Sequence, residues 1–382
     1  MSNNRMKNLM QSEIRNMSIE CDKLGGINLS QGICDLPLTK VLEDGVKEAL
    51  LEEYNHYTRY DGISELREAI ANKARHFNGI KADPEKNVTV SCGATGALYA
   101  TCISLFSPGD EVILFEPFYG YHEYTFLATD LVPVYVRLTP PEWSFDISEL
   151  EAKVTPRTKA IMINTPANPC GKVFTEAELE VLGDFCIRHD LIILTDEIYE
   201  YITYDNNKHV SPASIEKISD RVITIGGYSK TFSITGWRIG YSIAPEKYSS
   251  LIGMANDLIY VCAPAPLQYA VARAINTLDD AFYTQLRSDY TVKRSIICSA
   301  LSKGGLTPYI PQGAYYVLAD ISRLPGENSK EKCMYLLNEY GIAAVPGESF
   351  YNNSGGKTLA RFCFAKSDEI LKTAAQRLAD IN

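Results

Sequence analysis

The sequence has no run approaching 18 apolar residues, no basic excess, and no cysteine pair at metal or redox spacing. A helix crossing lipid needs about 20 apolar residues, so no membrane span is expected. Lys and Arg total 37 against 47 Asp and Glu, a formal net charge of −10. Tracking a nucleic-acid backbone requires a basic face, so that class of partner is excluded. A small basic pocket for one anion remains open. Neither CxxC nor HExxH occurs. The ten cysteines are scattered through apolar stretches, as at Cys102, Cys186 and Cys298. That usage predicts reduced, mostly buried thiols in a cytoplasmic protein. The polar opening, MSNNRMKNLMQSEIRNM, has no apolar core of a secretory signal.

No fixed-period repeat, low-complexity tract or Gly/Ser linker is present. What is there is alternation. Short β-branched runs recur at 87–91, 111–115, 132–136, 160–164, 191–195, 221–225 and 238–243. Helical spacing lies between several of them, notably 95–105 and 176–189. Strands alternating with helices predict an α/β fold with a mostly parallel, seven-stranded sheet covered on both faces. Ligands of such sheets sit beyond the carboxyl ends of the strands.

The residues at those ends are chemically varied. Cys92-Gly93-Ala94-Thr95 follows the first run, and Glu116-Pro117-Phe118-Tyr119 the second. Thr165-Pro166-Ala167-Asn168 follows 160–164, Asp196-Glu197-Ile198-Tyr199 follows 191–195, and Gly226-Gly227-Tyr228-Ser229-Lys230 follows 221–225. Lysine is usually a surface residue. In apolar surroundings its pKa falls and it can form a Schiff base. Asp196 reads either as a helix N-cap or as a buried carboxylate that needs a cationic partner, such as a pyridinium nitrogen. Gly93–Ala97 reads either as a tight turn or as a phosphate seat at a helix N-terminus. Arg238 is either a surface charge or a second clamp on that phosphate. The dinucleotide fingerprint GxGxxG and the GxxxxGK[ST] loop are both absent. Taken together, a lysine, a pyridinium partner, an aromatic to stack and an anion cradle describe a site for pyridoxal 5'-phosphate.

With these residues in view, the chain resembles class I aminotransferases of pyridoxal-phosphate fold type I. The likeness runs from Ile27-Asn28-Leu29-Ser30-Gln31-Gly32 to Arg361-Phe362-Cys363-Phe364. Its most specific block is Ser229-Lys230-Thr231-Phe232 through Gly236-Trp237-Arg238-Ile239-Gly240. NTPANPCGKVFT (164–175) and TDEIYEYITYD (195–205) are most similar to the kynurenine/glutamine/methionine aminotransferase group. The resemblance implies Lys230 as the Schiff-base lysine and proton shuttle, with Asp196 on the pyridinium nitrogen. It implies Tyr199 and Asn168 on the phenolic oxygen and Tyr119 against the ring. Gly93, Ala94, Thr95, Ser229 and Arg238 would hold the phosphate. Arg361 would pair with the substrate α-carboxylate, with Gly32 and Asn168 lining that pocket. Tyr57 would reach the phosphate of a neighbouring subunit, which requires a homodimer. Two positions depart from the family pattern: Gly227, where a hydroxyl is frequent, and Cys170, where Thr or Ser is usual.

The expected organisation is an N-terminal arm and part of a small domain over 1–40. A large cofactor domain follows over 41–285 and a small C-terminal domain over 286–382, with one helical stretch, 267–301, joining the two. Aspartate-type relatives use a further arginine, but Asn256–Gln268 contains none. An aromatic lining of Tyr57, Tyr60, Phe118, Tyr121 and Phe350 is expected instead. The predicted reaction moves an amino group from a neutral, apolar or aromatic L-amino acid to a 2-oxo acid in ping-pong order. A C–S β-lyase is the nearest alternative, and an aspartate or alanine aminotransferase a remoter one. A transcription regulator would need a DNA-binding module ahead of Ile27. A nicotinamide dehydrogenase would leave Lys230, Asp196 and Asn168 unexplained.

Overall fold

The computed structural model describes residues 12–353 and 355–381. The first eleven residues of the expected arm lie outside them. A two-residue strand, β1 (Ile27–Asn28), comes first. Seven strands then build one sheet: β2 (Val88–Cys92), β3 (Glu111–Glu116), β4 (Val132–Arg137), β5 (Thr158–Asn164), β6 (Ile192–Asp196), β7 (Val222–Gly227) and β8 (Ile239–Ile243). Their order is β2-β8-β7-β6-β5-β3-β4. Only β8 runs against its neighbours. The remaining pairs are parallel, as alternation with helices predicts.

The strands β3, β7 and β8 are buried at every position. That explains why they read as continuous apolar runs rather than alternating ones. Helix Gly93–Leu105 opens directly after β2, with no intervening loop. Helix Glu176–Arg188 starts in a capping box: Glu178 N donates to Thr175 Oγ1 at 3.2 Å, and Thr175 N donates to Glu178 Oε2 at 2.8 Å.

The continuous helix expected over 267–301 is two helices, Ala265–Thr277 and Asp280–Lys303. The Asp279 carboxylate accepts from Ala281 N and Phe282 N and so begins a new helix. The apolar periodicity continues across that break, which hides it from pattern reading.

A second sheet is antiparallel, in the order β12 (Val345–Pro346), β13 (Leu359–Cys363), β10 (Tyr316–Asp320), β9 (Thr307–Tyr309). β1 pairs in parallel with β11 (Ile342–Ala343). Met17 and Cys21 of helix Glu13–Leu24 share a core with Leu336 and Leu337, so the N-terminal segment packs with the C-terminal third. Tyr199 and Ile202, just beyond β6, belong to the same core. All ten cysteines are free, and eight are buried. Among the described residues no helix is long and apolar enough to cross a membrane.

Candidate active site

At the end of β2, Gly93 takes φ +75° and starts the helix. The first N–H groups of a helix have no intrahelical partner and carry the positive end of its dipole. Arg238, at φ +57° before β8, comes to that same point. A Cβ on Gly93 would lie 2.3 Å from Arg238 Nη2. A Cβ on Gly240 would lie 2.3 Å from the Gly93 carbonyl carbon. Both positions therefore need glycine for the guanidinium and the helix start to meet. Thr235 O holds Arg238 Nη1 at 2.9 Å. A helix start and a guanidinium brought together in this way are able to hold an anion.

Asp196 closes β6 and is buried. Its Oδ1 accepts from Ile198 N at 3.1 Å, so it does serve the local turn. Its Oδ2 lies 2.8 Å from His122 Nε2. A carboxylate only accepts, so that nitrogen carries the hydrogen. Sequence reasoning missed His122. The available signal was its place three residues after Tyr119, in helix Gly120–Ala128. Tyr119 meets the His122 ring edge-on at 5.3 Å and stacks on Tyr121 at 5.3 Å.

Lys230 follows β7. Its Nζ donates to Gly32 O at 3.1 Å, and Tyr315 Oη donates to the same carbonyl at 3.1 Å. Burial pushes the Lys230 amine below the usual lysine range. The thiols of Cys34 and Cys363 oppose that shift, while Arg361 and Arg238 reinforce it.

Arg361, on β13, is fully buried. Its Nη1 donates to Asn168 Oδ1 at 2.8 Å and its Nη2 to Ser30 O. The Tyr316 ring lies 4.1 Å from Cζ. Among the described residues the Arg361 Nε has no hydrogen-bond partner, and a buried guanidinium N–H left unpaired is costly. Asn168 is steadied by Asn164 Oδ1, which accepts from its N–H at 2.7 Å. Tyr199 Oη donates to Tyr316 Oη at 3.2 Å. Burial raises the Tyr199 phenol well above its ordinary range and pushes that of Tyr316 up to about 12.

These groups open on a cavity of about 250 Å³. Lys230, Asp196, Asn168, Tyr199 and Tyr119 line it, together with Ala94, Thr95, Ser229 and Arg238. Arg361 stands behind Asn168. The donor set fits pyridoxal phosphate: backbone N–H groups beside a guanidinium, a buried carboxylate, a lysine amine and an aromatic face.

The profile of the family "aminotransferase class I and II" matches residues 25–378. The chain belongs to this family. The aminotransferase is 34% identical to kynurenine–oxoglutarate transaminase 3 of Rattus norvegicus, over 97% of this chain and 90% of that one. It is 31% identical to the methionine aminotransferase of Escherichia coli, over 96% and 94%. The solved structure of N-succinyldiaminopimelate aminotransferase from Mycobacterium tuberculosis superposes with a TM-score of 0.96. That match is at 32% identity and covers all of both chains.

The aminotransferase departs from the expected aromatic lining. Of the five residues, only Tyr121 lines the cavity. Phe118 is buried against Tyr135, ring to ring at 5.6 Å, and Phe350 lies under Arg361. Tyr60 packs where a Cβ on Gly253 would meet it at 2.5 Å. Tyr57 is 84% exposed and outside the cavity of its own chain. Gly32 contributes its carbonyl, while its missing Cβ makes room for Tyr316. Cys170 is buried, with its thiol pushed up to about 11 by burial.

Proposed function

We propose that this pyridoxal-phosphate-dependent aminotransferase takes a neutral, apolar or aromatic L-amino acid as donor and a 2-oxo acid as acceptor. The observation behind this is a count of guanidinium groups. Arg238 sits at the phosphate cradle, and Arg361 is the buried one with a free Nε. Among the described residues Arg238 is the one arginine that lines the cavity, Arg361 lies behind Asn168, and 256–268 has none to lend to a neighbouring subunit. A donor with a side-chain carboxylate would thus bury an unpaired charge. Kynurenine, methionine and aromatic amino acids in the names of three relatives fall in this range, while N-succinyldiaminopimelate in the name of another carries further carboxylates.

Bound at this site, the cofactor supplies an electron sink for the pair released when a proton leaves the donor Cα. Arg238 and the helix start at Gly93-Ala94-Thr95 hold its phosphate, with Ser229 beside them. Asp196, oriented by His122, retains the proton on the pyridine nitrogen. Tyr119 covers one ring face, and Asn168 and Tyr199 bond the phenolic oxygen. Arg361 takes the α-carboxylate in a fork, with Nε as one tine. The Lys230 amine, favoured in its neutral form by burial, would accept the proton from the donor Cα and return it to the 1,3-related carbon, on the other side of the transferred nitrogen.

The homodimer belongs to the same reading. Leu51 and Tyr57 are each 84% exposed and Leu258 is 88% exposed, apolar surface that a subunit contact would cover. Asn256 Nδ2 donates to Tyr60 O at 2.6 Å, so the Tyr57–Tyr60 loop and helix Glu246–Tyr260 form one surface. Tyr57 extends from it toward the neighbour's phosphate. The large domain is assigned to 41–285, and the small one to 286–382 with 1–40. Free, buried thiols support a cytoplasmic location.

The test is a half-reaction. Amino acids are added singly, without acceptor, while the visible absorption of the bound cofactor is followed. Phenylalanine, methionine and glutamine are expected to bleach it, with kcat/KM at least about tenfold above aspartate. Aspartate leading the series would overturn the donor class. A cysteine S-conjugate is added as well; pyruvate and ammonia accumulating from it without acceptor would assign β-elimination instead.

A further inference from the structure

The turn after β6 has two faces. Asp196 and Tyr199 point into the cofactor cavity. Glu197 and Glu200 point away from it, and both are buried. The turn's own backbone bonds are local: Glu200 N to Glu197 O at 2.9 Å and Ile202 N to Tyr199 O at 2.8 Å. Glu197 N also reaches Ile225 O at 2.9 Å. The far end is tied by Ala314 N, which donates to Ile202 O at 2.9 Å; between these two backbone anchors, the longer-range polar contacts of the turn are made by its side chains.

Each carboxylate has its own set of donors. Glu197 Oε2 is 2.8 Å from His209 Nε2, and its Oε1 accepts from Ser211 Oγ at 2.7 Å. Glu200 pairs with the buried Lys73, and its Oε2 accepts from Asn78 Nδ2 at 2.8 Å. Lys73 Nζ also donates to Asn78 Oδ1 at 3.1 Å and to Tyr241 Oη at 2.9 Å. Asn78 ends a π-helical turn, Ala74–Asn78, that continues helix Ser64–Lys73. The extra residue of such a turn lets Lys73 and Asn78 converge on one carboxylate. Glu197, Glu200 and His209 approach each other within 4.8 Å, which resembles a metal-binding set. The Lys73 ammonium already fills the cation's place at Glu200, so the layer is ionic and closed.

We infer that Glu197 and Glu200 are positioning residues for the transamination site. Fixed by His209 and Ser211 on one side and by Lys73 and Asn78 on the other, they hold the turn so that Asp196 and Tyr199 meet the cofactor. This inference rests on the roles given to Asp196 and Tyr199 above. A buried carboxylate with a full donor set has one position, because moving it leaves charges unpaired. Backbone bonds to the rest of the chain at Glu197 and Ile202 alone would leave the stretch between them without that restraint.

The test uses apo protein reconstituted with pyridoxal phosphate. Glu197→Gln and Glu200→Gln should each weaken cofactor binding about tenfold, as for other supporting-shell changes. They should also shift the pH at which the bound cofactor's absorption changes, and lower kcat more than KM. Asn78→Ala and Ser211→Ala remove one neutral donor each and decide the matter if the Glu variants do not fold. Folded variants with wild-type cofactor affinity and an unshifted spectral pH overturn the inference. Loss of melting temperature equal in apo and holo forms, with affinity kept, also overturns it. Asp196→Ala and Tyr199→Phe run alongside. If those two leave affinity and spectrum unchanged, the site assignment itself falls; if they change both and the Glu, Asn78 and Ser211 variants do not, only this inference falls.

Discussion

His122 Nε2 stands 2.8 Å from Asp196 Oδ2, with both side chains buried. Together with the bond from Ile198 N to Oδ1, this contact fixes the orientation of the Asp196 carboxylate, the group proposed to pair with the pyridine nitrogen. His122→Phe keeps the ring and removes the donor, so Asp196 gains an unsatisfied oxygen. Cofactor affinity should fall about tenfold or more. Equilibrium titration of the apo protein with pyridoxal phosphate measures it.

Arg361→Lys keeps a positive charge but loses the planar fork. The bonds to Asn168 and Ser30 cannot both be made alongside a bidentate carboxylate. The expected loss is ~2–4 kcal/mol of transition-state binding, on the order of 30- to 1,000-fold in kcat/KM. Steady-state kinetics with any accepted donor checks it. Cofactor affinity should stay near wild type.

A Cβ at position 32 would lie 1.8 Å from Tyr316 Oη. Gly32→Ala must therefore displace Tyr316, and with it the partner of Tyr199. A stability loss of about 1–3 kcal/mol is expected from the overpacking. Adding Tyr316→Phe removes the nearest clashing atom and should recover part of it. Chemical denaturation of the single and double variants reads both effects.

Burial depresses the Lys230 pKa in the folded apo chain relative to the unfolded one. Between the two values the unfolded state binds more protons, so stability rises with pH through that window. Lys230→Met lacks this contribution. The variant should be more stable than wild-type apo protein near neutrality. Its advantage should shrink as pH climbs toward the ordinary lysine value of about 10.4. Melting curves across that range, on apo protein, give the comparison.

Leu258 is 88% exposed in the single chain. Leu258→Asp would place a charge in the proposed subunit contact. Sedimentation should show a shift from dimer to monomer, with activity falling because Tyr57 no longer reaches a neighbour's phosphate. A monomeric wild type of full activity would refute the shared site.

The sequence by itself determined the fold class and most of the cavity. Parallel strands feeding helices place their carboxyl ends together, so residues directly after β2, β5, β6 and β7 were bound to meet. Lys230, Asp196, Asn168 and Gly93 are legible for that reason. The tertiary structure decided the rest. Glu200 and Lys73 are 127 residues apart, and His122 and Asp196 are 74 apart. The displacement of Phe118 and Tyr60 from the expected pocket was likewise settled by packing. Contacts of this kind depend on how separate elements cross and which rotamers they admit. No local pattern of polarity or spacing records that geometry.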